Sequence, residues 1–341
     1  MNTIDTIRYM GIKTPLLPYI LPKIQEITPA KGTVLDIMAG SNAVSYALKE
    51  FYTVYTNDIQ AYSYTISNAI IVNQTENISS TTALDELLYN YNYNEVHKTY
   101  SYFEITYSST YFSQKQCSDI DSLRYAIDQL DNPIRKSLYL FALMGAMCKV
   151  QSTPGHFAQY MPSTHSRIVP LQKMNLFEEF LQKCNLYSDL YFCNNTNLAF
   201  NMDFHDLLSQ DICDKVDTIY LDSPYTQEQY SRFYHVLETV VKYDNPEVHF
   251  KAKYRDDRFQ SSFCYKGKVE QEFITIFEYC KKNNINLLIS YSNKGLLPVE
   301  RLHELANTYF NNTNLEYIDY KHSTQGKGSN KLKEILLTCT F

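Results

Sequence analysis

Two short apolar runs, each closing on a carboxylate, set the pattern of the chain. Residues 33–38, TVLDIM, pass through Asp36 into a turn of small residues, AGSN, and then into AVSYALKEF, whose apolar positions recur at helical spacing. Residues 52–58, YTVYTND, repeat the theme and end on Asp58. Runs of β-branched and aromatic residues at this length read as strands. The order is therefore strand, turn, helix, strand, the opening of a doubly wound α/β sheet. VDTIYLD at 216–222 and INLLISYS at 285–292 predict two further buried parallel strands. Between them, Tyr230, Phe233, Tyr234, Leu237, Val240 and Val241 share one face of a helix. The C-terminal LEYIDYKHSTQGKGSNKLKEILLTCTF reads as strand, polar loop, strand: a hairpin that ends an otherwise parallel sheet.

From about 85 to 195 the alternation lapses. A tyrosine-rich stretch at 89–112 is followed by helix-like segments at 118–130 and 133–150 and by the loop QSTPGHFAQYMPSTHSR. The predicted organisation is a sheet domain from 1–85 and 196–341, with 86–195 as an inserted, mostly helical subdomain. With 341 residues, 44% of them hydrophobic, the chain can fill one large core or two ordinary ones. No apolar run nears the roughly 18 residues that a membrane span needs. The N-terminus lacks the basic and apolar sequence of a secretory signal. The eight cysteines are scattered without a CxxC pair or a His/Cys cluster, which argues for reduced thiols, a cytoplasmic location and no metal site. A formal charge of −6 excludes a generic polyanion binder, so any nucleic-acid surface must be local. Tyrosine is abundant (31) and tryptophan absent, alongside much Asn, Ile and Lys, which reads as an AT-rich coding bias.

Candidate chemistry gathers at strand ends, where open α/β sheets bind ligands. Asp222-Ser223-Pro224-Tyr225 follows a predicted buried strand and offers an acceptor, a rigid backbone and a flat stacking face. That set suits a planar ligand bearing an amino group. An ordinary turn would use the same residue types. The VLDIMAGSN turn has Gly40 as its single glycine, too few to seat a pyrophosphate on a helix N-terminus. A nucleoside with a charged amino-acid tail fits better, with Asp58 on the ribose hydroxyls. The alternative is that Asp36 and Asp58 merely end strands and cap helices. His235 and Glu238 read as a structural pair, since no third ligand accompanies them.

In combination these elements resemble the bacterial adenine-specific DNA methyltransferases of the Dam-like group, over most of the chain. RYMGIKTPLLPYI resembles the group's N-terminal cofactor motif, with Gly11 and Lys13 in place, and VLDIMAGSN its cofactor loop. TNDIQ is similar to its acidic second strand, NMDFHDLL to the Asp-Phe flanking the cofactor adenine, and LDSPY to its catalytic signature. ISYSNKGLL and KLKEILLTC resemble its later sheet motifs. Other stretches, among them QYSRFYHVLETVVKYDNP, are similar to methylases of restriction-modification systems. Three residues depart from the pattern: Met38 and Asn42 replace a Phe and a Gly, and Ser223 replaces a Pro.

The resemblance implies a Rossmann-like fold and transfer of a methyl group from S-adenosylmethionine to the N6 amino group of an adenine flipped out of DNA. It assigns Asp222 and the Ser223 carbonyl to the amine, Pro224 to the turn and Tyr225 to base stacking. Lys13, Asp36, Ala39, Gly40, Asp58, Asp203 and Phe204 then fall to the cofactor. Ser223 needs to supply only a main-chain acceptor, which any residue has. For DNA contact, residues 251–268 set Lys251, Lys253, Arg255, Arg258, Lys266 and Lys268 against Asp256 and Asp257; a solvated surface is the plainer reading. Lys253, Arg255, Arg258 and Lys266 are the candidate contacts, helped by Lys321, Lys327, Lys331 and Lys333. Arg255 and Arg258 are expected near the target base, and the QSTPGHFAQY loop of the insertion farther out. A cognate restriction endonuclease is a possible partner. The rival readings are a same-fold enzyme for RNA adenine or cytosine N4, and a non-catalytic cofactor- or DNA-binding module.

Overall fold

The computed structural model describes residues 3–4, 6–7, 11–78, 81–190, 192–193, 195–211, 215–318 and 333–341. Its first half-sheet follows the expected order: α1 (Leu17–Ile27), β1 (Thr33–Asp36), α2 (Ala43–Leu48), β2 (Thr53–Asn57) and α3 (Ala61–Ser67). The described part of the insertion then holds helices joined by loops, with no named strand. These are α4 (Thr81–His97), α5 (Tyr102–Tyr107), α6 (Gln114–Asp128), α7 (Pro133–Val150), α8 (Ile168–Lys173) and α9 (Leu176–Leu186). Their starts are written locally. Ser113 and Gln116 form a reciprocal capping box before α6, and Asn132 caps α7 ahead of a proline in its first turn.

The chain re-enters the sheet at β3 (Leu198–Phe200), followed by α10 (Phe204–Leu208), β4 (Thr218–Leu221) and α11 (Tyr230–Lys242). A small hairpin, β5 (Val248–His249) and β6 (Tyr254–Arg255), precedes α12 (Val269–Asn283), β7 (Asn286–Ser292), α13 (Val299–Tyr309), β8 (Asn312–Ile318) and β9 (Glu334–Thr340). The seven large-sheet strands lie in the order β3-β2-β1-β4-β7-β9-β8, parallel except for β9, which runs against both neighbours. The predicted terminal hairpin is therefore present, with Leu315 opposite Leu337. Its polar loop, with Lys321, Lys327 and Lys331, lies outside the described residues. β3 was not foreseen; three half-buried edge residues leave no apolar run to read.

β1, β2, β4, β7 and β9 are buried on both faces, which is why they read as continuous apolar runs. Val34, Val54, Tyr220 and Leu288 face one core, while Leu35, Tyr55, Ile219, Leu221 and Leu287 face the other. The first core does not stop at the sheet. It continues through Tyr62, Ile66 and Ile70 into Leu87, Phe103, Tyr107, Leu138, Phe141 and Phe180 of the insertion. The inserted helices thus share one apolar cluster with the sheet.

His235 and Glu238 are both structural, but they do not pair with each other. His235 Nε2 faces the Phe157 carbonyl at 3.1 Å, and burial pushes the imidazole down to about 3, so it stays neutral. Glu238 reaches across to α3 and accepts the amide protons of Ala61 and Tyr62, both at 3.1 Å. Gln60, the residue before α3, supplies no side-chain cap of its own. Glu238→Ala should therefore lower unfolding free energy by about 1–2 kcal/mol, read as a lower urea midpoint at unchanged slope. An unchanged midpoint would mean that the borrowed cap stabilises nothing.

Candidate functional site

One cleft opens at the carboxyl edge of β1, β2 and β4. β1 and β4 are neighbours whose chains leave toward different elements, a place where open α/β sheets form a crevice. The cleft lining brings together all eleven residues expected at the catalytic and cofactor positions: Asp222 to Tyr225, and Lys13, Asp36, Ala39, Gly40, Asp58, Asp203 and Phe204.

Asp36 closes β1 and is buried. Ser45 donates its hydroxyl to Oδ2, whereas Oδ1 has no partner. Burial, with the nearby Asp222 and Asp58 charges, pushes this carboxyl up to about 7 despite Ser45. Asp58 has both oxygens in use. Gly40 N–H donates to Oδ2 at 2.8 Å and Gln60 N–H to Oδ1 at 2.9 Å. Burial pushes it up to about 6 even so. Ser63 adds a side-chain hydrogen bond, and Asp58 is thus the post to which the 39–42 loop and the start of α3 are tied.

The loop itself explains a departure from the family pattern. Gly40 has φ +52° and Asn42 φ +61°, both in the left-handed region. After glycine, asparagine tolerates that region best. Asn42 is fully buried, donates its amide to the Ser63 carbonyl at 3.2 Å and accepts from the Ser67 hydroxyl at 2.7 Å. Asn42 therefore keeps a glycine's conformation and adds an anchor to α3.

On the far wall, Asp203 caps α10 by accepting from His205 N–H, and Phe204 is buried with its ring against His205. Asp222 follows β4 with a quarter of its side chain exposed. Lys13 Nζ lies 3.1 Å from its Oδ1. Burial pushes Asp222 up to about 6, held back by Lys13 and raised further by Glu334. Ser223 is buried and its hydroxyl has no partner. The Tyr225 carbonyl accepts from Leu296 N–H, and the Tyr225 ring meets Tyr291 edge-on at 6.3 Å. Lys13 provides the only cation among the described lining residues, and its ammonium is committed to Asp222 and Glu334.

The basic segment departs most from expectation. Arg255 is not a free charge: it is 2% exposed, with a two-pronged grip on Asp244 and on Asp257 at 2.7–2.8 Å. Carboxylates on either side satisfy the guanidinium, so in this structure it braces the β5–β6 hairpin against the end of α11 and offers nothing to a base edge. Arg258 lies half-buried over the Tyr254 ring at 4.8 Å and donates to the Arg255 carbonyl. Lys253 is half-buried, and Lys266 is exposed, as is Lys251. The QSTPGHFAQY loop is not remote. Phe157 N–H bonds the Phe233 carbonyl of α11, and the Tyr254 hydroxyl bonds the Ala158 carbonyl, joining insertion, α11 and hairpin. Among the described residues, the exposed Glu247 and Asp256 also converge on that hairpin with the half-buried His249, which lies 2.8 Å from Asp256.

A family model described as D12 class N6 adenine-specific DNA methyltransferase matches residues 9–309. The chain is 28% identical to modification methylase LlaI of Lactococcus lactis subsp. lactis, across 97% of this chain and 54% of that protein. It is 27% identical to modification methylase StsI of Streptococcus sanguinis, across 96% and 50%, and 26% identical to type II methyltransferase M2.HphI of Haemophilus parahaemolyticus, across 84% and 83%. The chain spans about half the length of the first two. No helix among the described residues is long and apolar enough to cross a membrane.

The loop geometry makes a simple test. Both variants lose the two anchors; Asn42→Ala keeps a β-carbon at positive φ without them, whereas Asn42→Gly removes that β-carbon. The alanine variant should be less stable than the glycine variant by about 1 kcal/mol in denaturant titration. Equal stabilities would remove the conformational explanation.

Proposed function

The chain belongs to the D12 class N6 adenine-specific DNA methyltransferase family, and from that premise we propose that it transfers a methyl group to adenine N6 at specific sites in double-stranded DNA. S-adenosylmethionine is the proposed donor. The residues present suit it: four carboxylates, from Asp36, Asp58, Asp203 and Asp222, line the cleft, and the Asp36 Oδ1 is buried without a partner. Such a cleft favours a ligand with cationic groups and disfavours a phosphate. When bound, this cofactor supplies an electrophilic methyl on a sulfonium. Asp36, Ala39, Gly40, Asp58, Asp203 and Phe204 are assigned to holding it.

The observation that carries the reading is the convergence of the Asp-Ser-Pro-Tyr turn with this acid-rich loop in one cleft. An adenine amine is a weak nucleophile because its lone pair is delocalised into the ring. Asp222 Oδ2 and the Ser223 carbonyl would accept its two N–H bonds and return electron density to nitrogen. Pro224 fixes the turn, and the Tyr225 ring offers a stacking face for an extruded base. Asp222 is then the nearest acceptor for the proton that leaves nitrogen. Residues 86–195 are the proposed target-recognition region, working with Lys253, Arg258 and Lys266; a partner endonuclease and a cytoplasmic setting complete the proposal.

Incubation of the protein with DNA and methyl-labelled cofactor, followed by base analysis, tests the activity. N6-methyladenine is expected; N4-methylcytosine, or label entering RNA alone, would overturn it. Asp222→Ala should abolish transfer while cofactor affinity by calorimetry stays within about threefold, a difference under 1 kcal/mol. Because Asp222 must be ionised to accept, the parent's kcat should rise with pH through about 6 and level off above it. A profile flat from pH 5 to 8 contradicts that role.

DNA contact has a separate readout. Arg258→Ala and Lys266→Ala should each weaken binding, and flatten the plot of log affinity against log salt by about 0.9 for each phosphate no longer neutralised. Arg255→Ala should instead lower thermal stability, since it leaves Asp244 without its cation and Asp257 with Lys242 alone, at 3.6 Å. If neither Arg258 nor Lys266 alters the slope, the phosphate-binding surface lies elsewhere.

A further inference from the structure

Glu334, the first residue of β9, has no part in the assignments above, yet it is buried beside them. It is 2% exposed and its Oε1 lies 3.7 Å from Lys13 Nζ, the ammonium that also meets Asp222 at 3.1 Å. Lys13 is itself 5% exposed and precedes the first turn of α1. The sheet topology explains the meeting. β9 is the reversed strand, so its first residue pairs with Ser292 at the carboxyl end of β7. That is the edge at which β4 delivers Asp222.

Burial works against the charge on Lys13, yet Asp222 and Glu334 together hold its pKa above the ordinary lysine range. Burial also raises Glu334, and Lys13 opposes that rise. Two buried charges beside a third that is only partly exposed are costly unless each has a defined partner. A lysine is a compact point charge on a flexible stem and does not orient itself. With Asp222 as its sole partner it would follow that carboxylate wherever the turn moved. A second carboxylate on the rigid end of β9 gives it a fixed position.

We propose that Glu334 is a positioning residue for methyl transfer: it anchors Lys13, and through Lys13 it fixes both the direction and the charge of the Asp222 carboxylate that receives the adenine amine. This rests on the role given to Asp222 above. The charged or titratable groups facing Asp222 are Lys13, Glu334, Asp36, Tyr220 and Tyr225. Of these, Lys13 is the cation, and Glu334 controls how much of it Asp222 receives.

The experiment measures two quantities on the full chain. One is kcat for DNA methylation against pH. The other is the titration of Asp222 itself, followed by carboxyl carbon NMR on aspartate-labelled protein and assigned with Asp222→Asn. In Glu334→Gln, one repelling charge is gone and Lys13 is left to Asp222, so the Asp222 midpoint and the acid limb of kcat should both move down. Its plateau kcat should fall about 10- to 100-fold, the range for a misplaced catalytic group. In Lys13→Met both midpoints should move up, and in the double variant they should return toward the parent. Glu334→Asp keeps the charge but withdraws the anchor; it should leave the midpoint near the parent's and still lower kcat. Unmoved Asp222 midpoints in Glu334→Gln and Lys13→Met, whatever the loss of stability, would reduce Glu334 to a structural ion pair and overturn the inference. A parent that methylates no DNA, but whose Asp222 responds in this way, would overturn the proposed activity and leave the coupling standing.

Discussion

Four carboxylates share the edge of this sheet with a single ammonium among the described lining residues. Like charges that close cannot all be ionised and dry without compensation. The chain resolves the conflict in three different ways. Asp58 is held by two backbone amides, Asp203 is spent on a helix cap and stays partly solvated, and Asp222 leans on Lys13. Asp36 is left over: it has one hydroxyl partner, one unpaired oxygen and a strongly raised pKa. Burial of that carboxyl is compensated only by Ser45 and the Met38 backbone, so its charged form is the most costly of the four.

Strand ends were legible in the sequence because burial on both faces forces uninterrupted apolar runs, and a carboxylate after such a run has to be there for a reason. That logic located Asp36, Asp58 and Asp222 correctly at the edge of one sheet. Asn42 was legible only as a departure; the φ of +61° that makes it acceptable is a backbone property with no local signature. Arg255 shows the opposite failure. Within a basic run it looks like surface charge, and the carboxylates that bury it come from both sides, Asp244 before the hairpin and Asp257 after it. Local composition counts charges but does not pair them. The Lys13–Glu334 contact was invisible for a further reason. Its two residues come from opposite ends of the chain, and only the reversal of β9 brings them together.

The insertion has a firmer physical character than its sequence advertised. Its tyrosines, which composition marked as coding bias, are in good part core residues: Tyr107, Tyr111, Tyr139 and Tyr187 are all buried. Hydroxyls inside a core need partners, and Tyr111 finds the carbonyls of Phe157 and Ala252. A single side chain thereby ties the 151–160 loop to the hairpin. The region proposed to read DNA is hydrogen-bonded to α11, the helix that follows the Asp222–Tyr225 turn.

The continuous apolar cluster that runs from β1 and β2 into the inserted helices limits how this scaffold can be diversified. Where a recognition unit folds around its own core, it can be exchanged between relatives by cutting at two linkers. Here the same cut would open the interior of the sheet domain and expose Ile66, Ile70 and their neighbours. Chimeras that graft a foreign insertion onto this sheet would have to carry over α3 and the apolar face of α11 with it. New specificities on this framework are more readily reached by changing exposed side chains in place than by exchanging the unit whole.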